Sequence, residues 1–118
     1  MNKIKCIFTL LLVLSFNSFA LASPQQLNNY IQSAYKSYNN GNYQAAIENY
    51  KQAVKLSPNN FDIRYNLGVI YSRINDFNNA ELCYKKAIQL KPTNPKPYLN
   101  LGNIYLNKKQ YNQAVECF

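Results

Sequence analysis

The groups able to do chemistry in this sequence are few, and their spacing argues against catalysis. There is no histidine, which removes the commonest general base and the commonest nitrogen ligand for a metal. Of five carboxylates, Asp76 stands where a helix cap is expected, and Glu48, Glu81 and Glu116 fall on helix faces that ordinarily meet water. Neither a glycine-rich phosphate loop nor a nucleophile elbow occurs. The chain is therefore not expected to be an enzyme, and no metal or cofactor is expected.

Three cysteines, Cys6, Cys83 and Cys117, raise the question of a disulfide. Cys83 and Cys117 lie 34 residues apart, in one column of the repeat described below. Successive second helices packing about 8 to 10 Å apart would hold their alpha carbons beyond the bridging limit of roughly 7 Å. Both are expected to be small, buried, unpaired side chains.

The elements that would position any binding residues follow from composition and periodicity. At 118 residues, 47% hydrophobic and 15% charged, the chain has apolar material for one small domain. Five prolines and three glycines suit long helices with short connections better than tight hairpins. The formal net charge is +8, but the cations are scattered singly or in pairs, which reads as a solvated basic surface. No nucleic-acid partner is expected.

Residues 1–22 have the layout of a secretory signal peptide. A basic head at Lys3 and Lys5 precedes an apolar run from Cys6 to Phe16 and small residues ending in Ala20-Leu21-Ala22. Cleavage is predicted after Ala22. The run breaks at Asn17-Ser18, short of the about 20 apolar residues that a membrane span needs. Cys6 precedes the run, so a lipid-attachment signal is not expected either. The expected destination is the periplasm or the exterior, with no stable membrane span after cleavage.

Laid over itself at an offset of 34, the chain puts Tyr43, Phe77 and Tyr111 in one column, Ala46, Ala80 and Ala114 in a second, and Tyr50, Tyr84 and Phe118 in a third. Leu67-Gly68 falls over Leu101-Gly102, Tyr71 over Tyr105, and Pro58 over Pro92. The repeats run over 27–60, 61–94 and 95–118, the third cut short. Inside each, apolar spacing is helical: Leu67, Ile70, Tyr71 and Ile74 on one stretch, then Ala80, Tyr84, Ala87 and Ile88 after Asn75-Asp76. Each repeat is thus a helix pair. Gly68 or Gly102 and Ala80 or Ala114 let the two backbones approach, with Tyr84 or Phe118 filling the space beside them. Asn42 and Asp76 can cap the second helices, and Asn94-Pro95 can open the third pair.

The stretches "YNLGVIYSRINDFNNAELCYKKAIQLKP" and "YLNLGNIYLNKKQYNQAVECF" resemble tetratricopeptide repeats in their L-G-x-x-Y, A-x-x-x-F/Y and A-x-x-x-x-P elements. The first repeat is looser, with Ser33-Ala34 for Leu-Gly and Ser37 for the tyrosine. Tyr30, Arg64 and Tyr98 stand where the family usually has tryptophan, and Arg64 is an expected weak point of packing.

The resemblance implies an all-α, right-handed solenoid of antiparallel helix pairs whose first helices line a concave groove for a protein or peptide partner. The implied groove residues are Ile31, Tyr35, Tyr38 and Asn39; Tyr65, Asn66, Val69, Ser72 and Arg73; and Lys96, Leu99, Asn100, Asn103 and Asn107. The clamp by which some members hold chaperone tails is not expected, because Ile31 with Tyr35 and Tyr65 with Val69 occupy its opening positions. Two further readings stay open: the non-catalytic part of a larger enzyme or envelope assembly factor, and RNA binding, which the export signal and glycine-alanine pattern disfavour. Tyr111–Phe118 matches only the first half of a second helix, so the sequence is expected to be a piece of a longer repeat protein.

Overall fold

The structure, a computed structural model, describes residues 23–118. The signal-like segment and Cys6 lie outside the described residues. Six helices follow one another: α1 (Pro24–Asn39), α2 (Tyr43–Leu56), α3 (Phe61–Arg73), α4 (Phe77–Leu90), α5 (Pro95–Asn107) and α6 (Tyr111–Cys117). Helices and short turns account for all the described residues.

Local chemistry starts nearly every helix. A side-chain oxygen at the N-cap accepts a backbone N–H in five of them: Ser23 from Gln26, Asn42 from Ala45, Asn60 from Ile63, Asp76 from Asn79 and Asn94 from Lys96. Each bond satisfies a donor that no helix turn can reach. Pro24 and Pro95 occupy first-turn positions, where a missing N–H costs nothing. Gln110 is the exception. It precedes α6 without a capping bond, and its Oε1 is buried without a partner.

Inside each repeat the chain reverses through one left-handed residue. Gly41, Asn75 and Lys109 have φ of 76°, 59° and 57° and are again one repeat apart. In each turn the following N–H reaches back to a carbonyl five residues earlier: Asn42 to Ser37 at 2.9 Å, Asp76 to Tyr71 at 2.9 Å, Gln110 to Tyr105 at 2.8 Å. This double-bonded helix ending closes all three pairs identically. Glycine meets the requirement without steric cost, whereas asparagine and especially lysine carry a side chain into a region that disfavours one.

Close approach within a pair is enforced by the missing side chain. A methyl placed on Gly68 would lie 2.8 Å from Tyr84 Cε1, and one on Gly102 would lie 2.5 Å from Phe118 Cε1. Ala34, Ala46, Ala53, Ala80, Ala87 and Ala114 are all but inaccessible, and Ile63, Ile70 and Tyr84 are the bulk packed around them. Between pairs, each second helix packs on the first helix of the next repeat. A cleft lined by residues of α2, α3 and α4 opens between neighbouring second helices.

Two sequence expectations change here. Arg64 finds a definite contact: its Nε donates to the Pro58 carbonyl at 3.2 Å. Glu81, expected to face water, is instead tied across the repeat boundary. Its carboxylate receives the Tyr105 hydroxyl at 3.0 Å and Lys108 Nζ at 2.9 Å from the third repeat, with Lys85 Nζ at 2.7 Å from its own helix. Burial by itself would raise this carboxyl, but the hydrogen bonds from Lys85, Lys108 and Tyr105 outweigh it and hold it down at about 2.

The two ends of the stack differ. On α1, Asn29, Ser33 and Lys36 are exposed at the columns where α3 buries Ile63, Leu67 and Ile70. At the other end Leu99, Val115 and Phe118 are exposed.

Candidate partner-binding groove

The first helices border a groove made of two hollows that share Val69 as a lining residue. The first, about 100 Å³, lies between α1 and α3, with Tyr35 and Tyr38 on one wall, Asn66 and Val69 on the other, and Tyr50 beneath. The second, about 360 Å³, lies between α3 and α5, with Ser72 and Arg73 facing Asn100, Asn103 and Asn107 across Tyr84. Helical spacing produces this, since positions 65, 69 and 72 share one face of α3.

A tyrosine and amide network sets the groove surface. Asn66 Nδ2 donates to the Tyr50 hydroxyl at 3.3 Å, and one repeat later Asn100 Nδ2 donates to the Tyr65 hydroxyl at 3.0 Å. Ser72 Oγ lies 3.0 Å from the Gly68 carbonyl and 3.3 Å from the Tyr84 hydroxyl. Its single proton goes to the carbonyl, so Tyr84 donates to Ser72. Tyr65 stacks on Phe61, with centroids 5.9 Å apart and planes 6° apart, and meets Tyr84 at a tilt. Arg73 Nε reaches the Tyr38 hydroxyl at 3.5 Å, linking the rim of α3 to α1.

The hydroxyls on this floor are not acids or bases at neutral pH. Burial pushes Tyr84 up to about 12, and burial likewise raises Tyr50 against the bond from Asn66. They hold neighbouring side chains in place. The amide oxygens Oδ1 of Asn66 and Asn100 accept no hydrogen bond from protein among the described residues. Each asparagine is thus anchored through its NH₂ and offers an acceptor.

Of the groove residues expected from the sequence, Tyr35, Tyr38, Asn66, Val69, Ser72, Arg73, Asn100, Asn103 and Asn107 line the two hollows. Tyr65 joins them through Asn100. Lys96 lies elsewhere, on an open cleft at the far end of the stack with Leu99, Cys117 and Phe118. Tyr50 and Tyr84 belong to the floor although they sit on second helices. Their column was visible as space-filling aromatics, but nothing in helical spacing says that the hydroxyls emerge between two first helices.

Among the described residues no group of three or more His, Cys, Asp or Glu could hold a metal ion, and no helix is long and apolar enough to cross a membrane. Cys83 and Cys117 are unpaired. Cys83 is buried, with burial pushing its thiol up to about 11, while Cys117 is only half-buried, short of the burial expected for it.

Three family models match: a TPR repeat over residues 34–75, and tetratricopeptide repeats over 61–94 and 83–116. The chain belongs to the tetratricopeptide repeat family. It is 38% identical over 66 residues to the mouse BBSome complex member BBS4, a match covering 56% of this chain and 13% of that one. The chain thus spans a small part of the curated relatives it matches. A crystal structure of MamA superposes with a TM-score of 0.76 at 27% identity, covering 78% of this chain and 54% of that one. The second TPR of Spaghetti (RPAP3), bound to an HSP90 peptide, superposes with a TM-score of 0.74 at 23% identity, covering 80% and 87%.

Proposed function

We propose that this groove receives a short segment of a protein partner, and that the chain acts as an exported interaction module rather than an enzyme. The observation that carries the reading is the pair Asn66 and Asn100, one repeat apart, each pinned to a tyrosine hydroxyl by its NH₂ with Oδ1 unused. Two fixed acceptors bordering Val69 and the exposed ring of Tyr35 suit backbone N–H groups and apolar side chains of an extended segment. The fold is shared with domains solved with chaperone peptides bound, such as the RPAP3 domain, which supports peptide capture as a use of this architecture. Export rests on the layout of residues 1–22.

A photo-crosslinking amino acid at Val69, introduced in the native host, tests the groove. The expected result is a covalent protein adduct that is lost in an Asn66→Ala/Asn100→Ala variant of unchanged helicity. Adducts that persist in that variant, or none at all, would overturn it. N-terminal sequencing of the chain from that host tests export: Ser23 is expected as the first residue, and a retained Met1 would refute it.

A further inference from the structure

On the other side of α3 from the groove, the cleft between α2 and α4 has a volume of about 570 Å³. Val54, Leu67 and Leu82 give it apolar walls, and three cations, Lys51, Lys55 and Arg64, stand around it against one carboxylate, Glu48. Two of these residues break the internal repeat. Position 82 is leucine, 65% exposed, where the flanking repeats carry Glu48 and Glu116, both also exposed. Position 64 is arginine where the flanking repeats carry Tyr30 and Tyr98.

Folding requires neither change. Glutamate occupies the same exposed column twice, and Tyr98 gives the Pro92 carbonyl the same kind of hydrogen bond that Arg64 gives to Pro58. What the two substitutions add is surface: an apolar contact point and a guanidinium, both on one cleft. The charge around it is unbalanced as well. Lys51 has one carboxylate partner, Glu48 at 3.9 Å with both side chains half exposed, and neither Lys55 nor Arg64 has any among the described residues.

We propose that this cleft is a second docking surface, for an acidic protein segment that places a large apolar side chain between Val54, Leu67 and Leu82 and its carboxylates on Arg64, Lys51 and Lys55. Arg64 uses only Nε on Pro58, which leaves both terminal nitrogens for a carboxylate. The volume suits a few side chains rather than a whole helix. A flat anionic bilayer would meet the flanking helices before the recessed wall at Leu67, which is 4% exposed. A nucleic-acid strand would find only Tyr71 as an aromatic platform.

The test is a titration of the isotopically labelled full chain with a short synthetic peptide in which glutamate alternates with leucine, followed by amide chemical shifts. The expected shifts are saturable and centred on Arg64 and Leu82, with Asn66 and Asn100 unmoved. Leu82→Glu and Arg64→Tyr, each built from the residue of the flanking repeats to preserve the fold, should each weaken binding by about fivefold or more. Shifts confined to the groove, affinity unchanged in both variants, or equal binding of the peptide with glutamine for glutamate would overturn the proposal. So would binding to phosphatidylglycerol vesicles, in the absence of peptide binding, that the same two variants abolish.

Discussion

The Nε of Arg64 holds the Pro58 carbonyl at 3.2 Å, and one repeat later the hydroxyl of Tyr98 holds the Pro92 carbonyl at 2.8 Å. Two unrelated side chains thus tie the start of a first helix to the turn before it. Arg64→Tyr is expected to leave the unfolding free energy from urea titration within about 0.5 kcal/mol of the parent's, and Arg64→Ala to lower it by about 0.5 to 1.5 kcal/mol. Equal losses in both variants would show that the guanidinium does something the phenol cannot.

The carboxylate of Glu81 joins the second and third repeats through Tyr105 and Lys108. Its native value of about 2 lies below the ordinary 4.5, so above the ordinary value the group is charged in both states and its stabilisation is complete. As pH falls from about 4.5 towards 2, the unfolded chain takes up the proton first and that stabilisation is lost. Glu81→Gln is expected to cost on the order of 1 kcal/mol at neutral pH, a difference that shrinks towards pH 2. A pH-independent difference in chemical-denaturation curves would assign the effect to shape instead of charge.

Lys109 carries the left-handed turn that Gly41 carries in the first repeat. Lys109→Gly is expected to stabilise the chain by about 1 kcal/mol, and Gly41→Ala to destabilise it by a similar amount. At the adjacent position Gln110→Asp supplies the missing cap of α6 and removes the buried unpaired oxygen. A gain of about 1 kcal/mol in thermal or urea unfolding is expected. Lower stability in both Lys109→Gly and Gln110→Asp would refute this account of the turn.

Gly68 and Tyr84 are coupled by contact. Gly68→Ala is expected to cost about 1 to 3 kcal/mol, and much less in a Tyr84→Ala background, where the obstructing ring is gone. A double-mutant cycle measures the difference directly. Additive losses would mean that the new methyl is accommodated by backbone movement rather than opposed by the ring.

The repeat columns alone were enough to read the helix pairs, the Gly68–Tyr84 and Gly102–Phe118 closures, and the caps at Asn42, Asp76 and Asn94. Each of these depends on residues on one helix or on two helices joined by a short turn, so local geometry determines the outcome. Most of the residues that line the two hollows were legible for the same reason, because residues 65, 69 and 72 share a face wherever α3 sits.

The features that periodicity left open lie between repeats. The partners of Glu81, the contact that rescues Arg64, and the placing of Lys96 at the end of the stack rather than in the groove all depend on how far one pair is rotated against the next. Periodicity reports which residues share a helix face. The hydroxyls of Tyr50 and Tyr84 reach the groove, and Leu82 meets Lys51 and Arg64 across one cleft, only because neighbouring pairs pack with a particular offset. That offset arises from the summed shape of many buried side chains, which no single column of the sequence records.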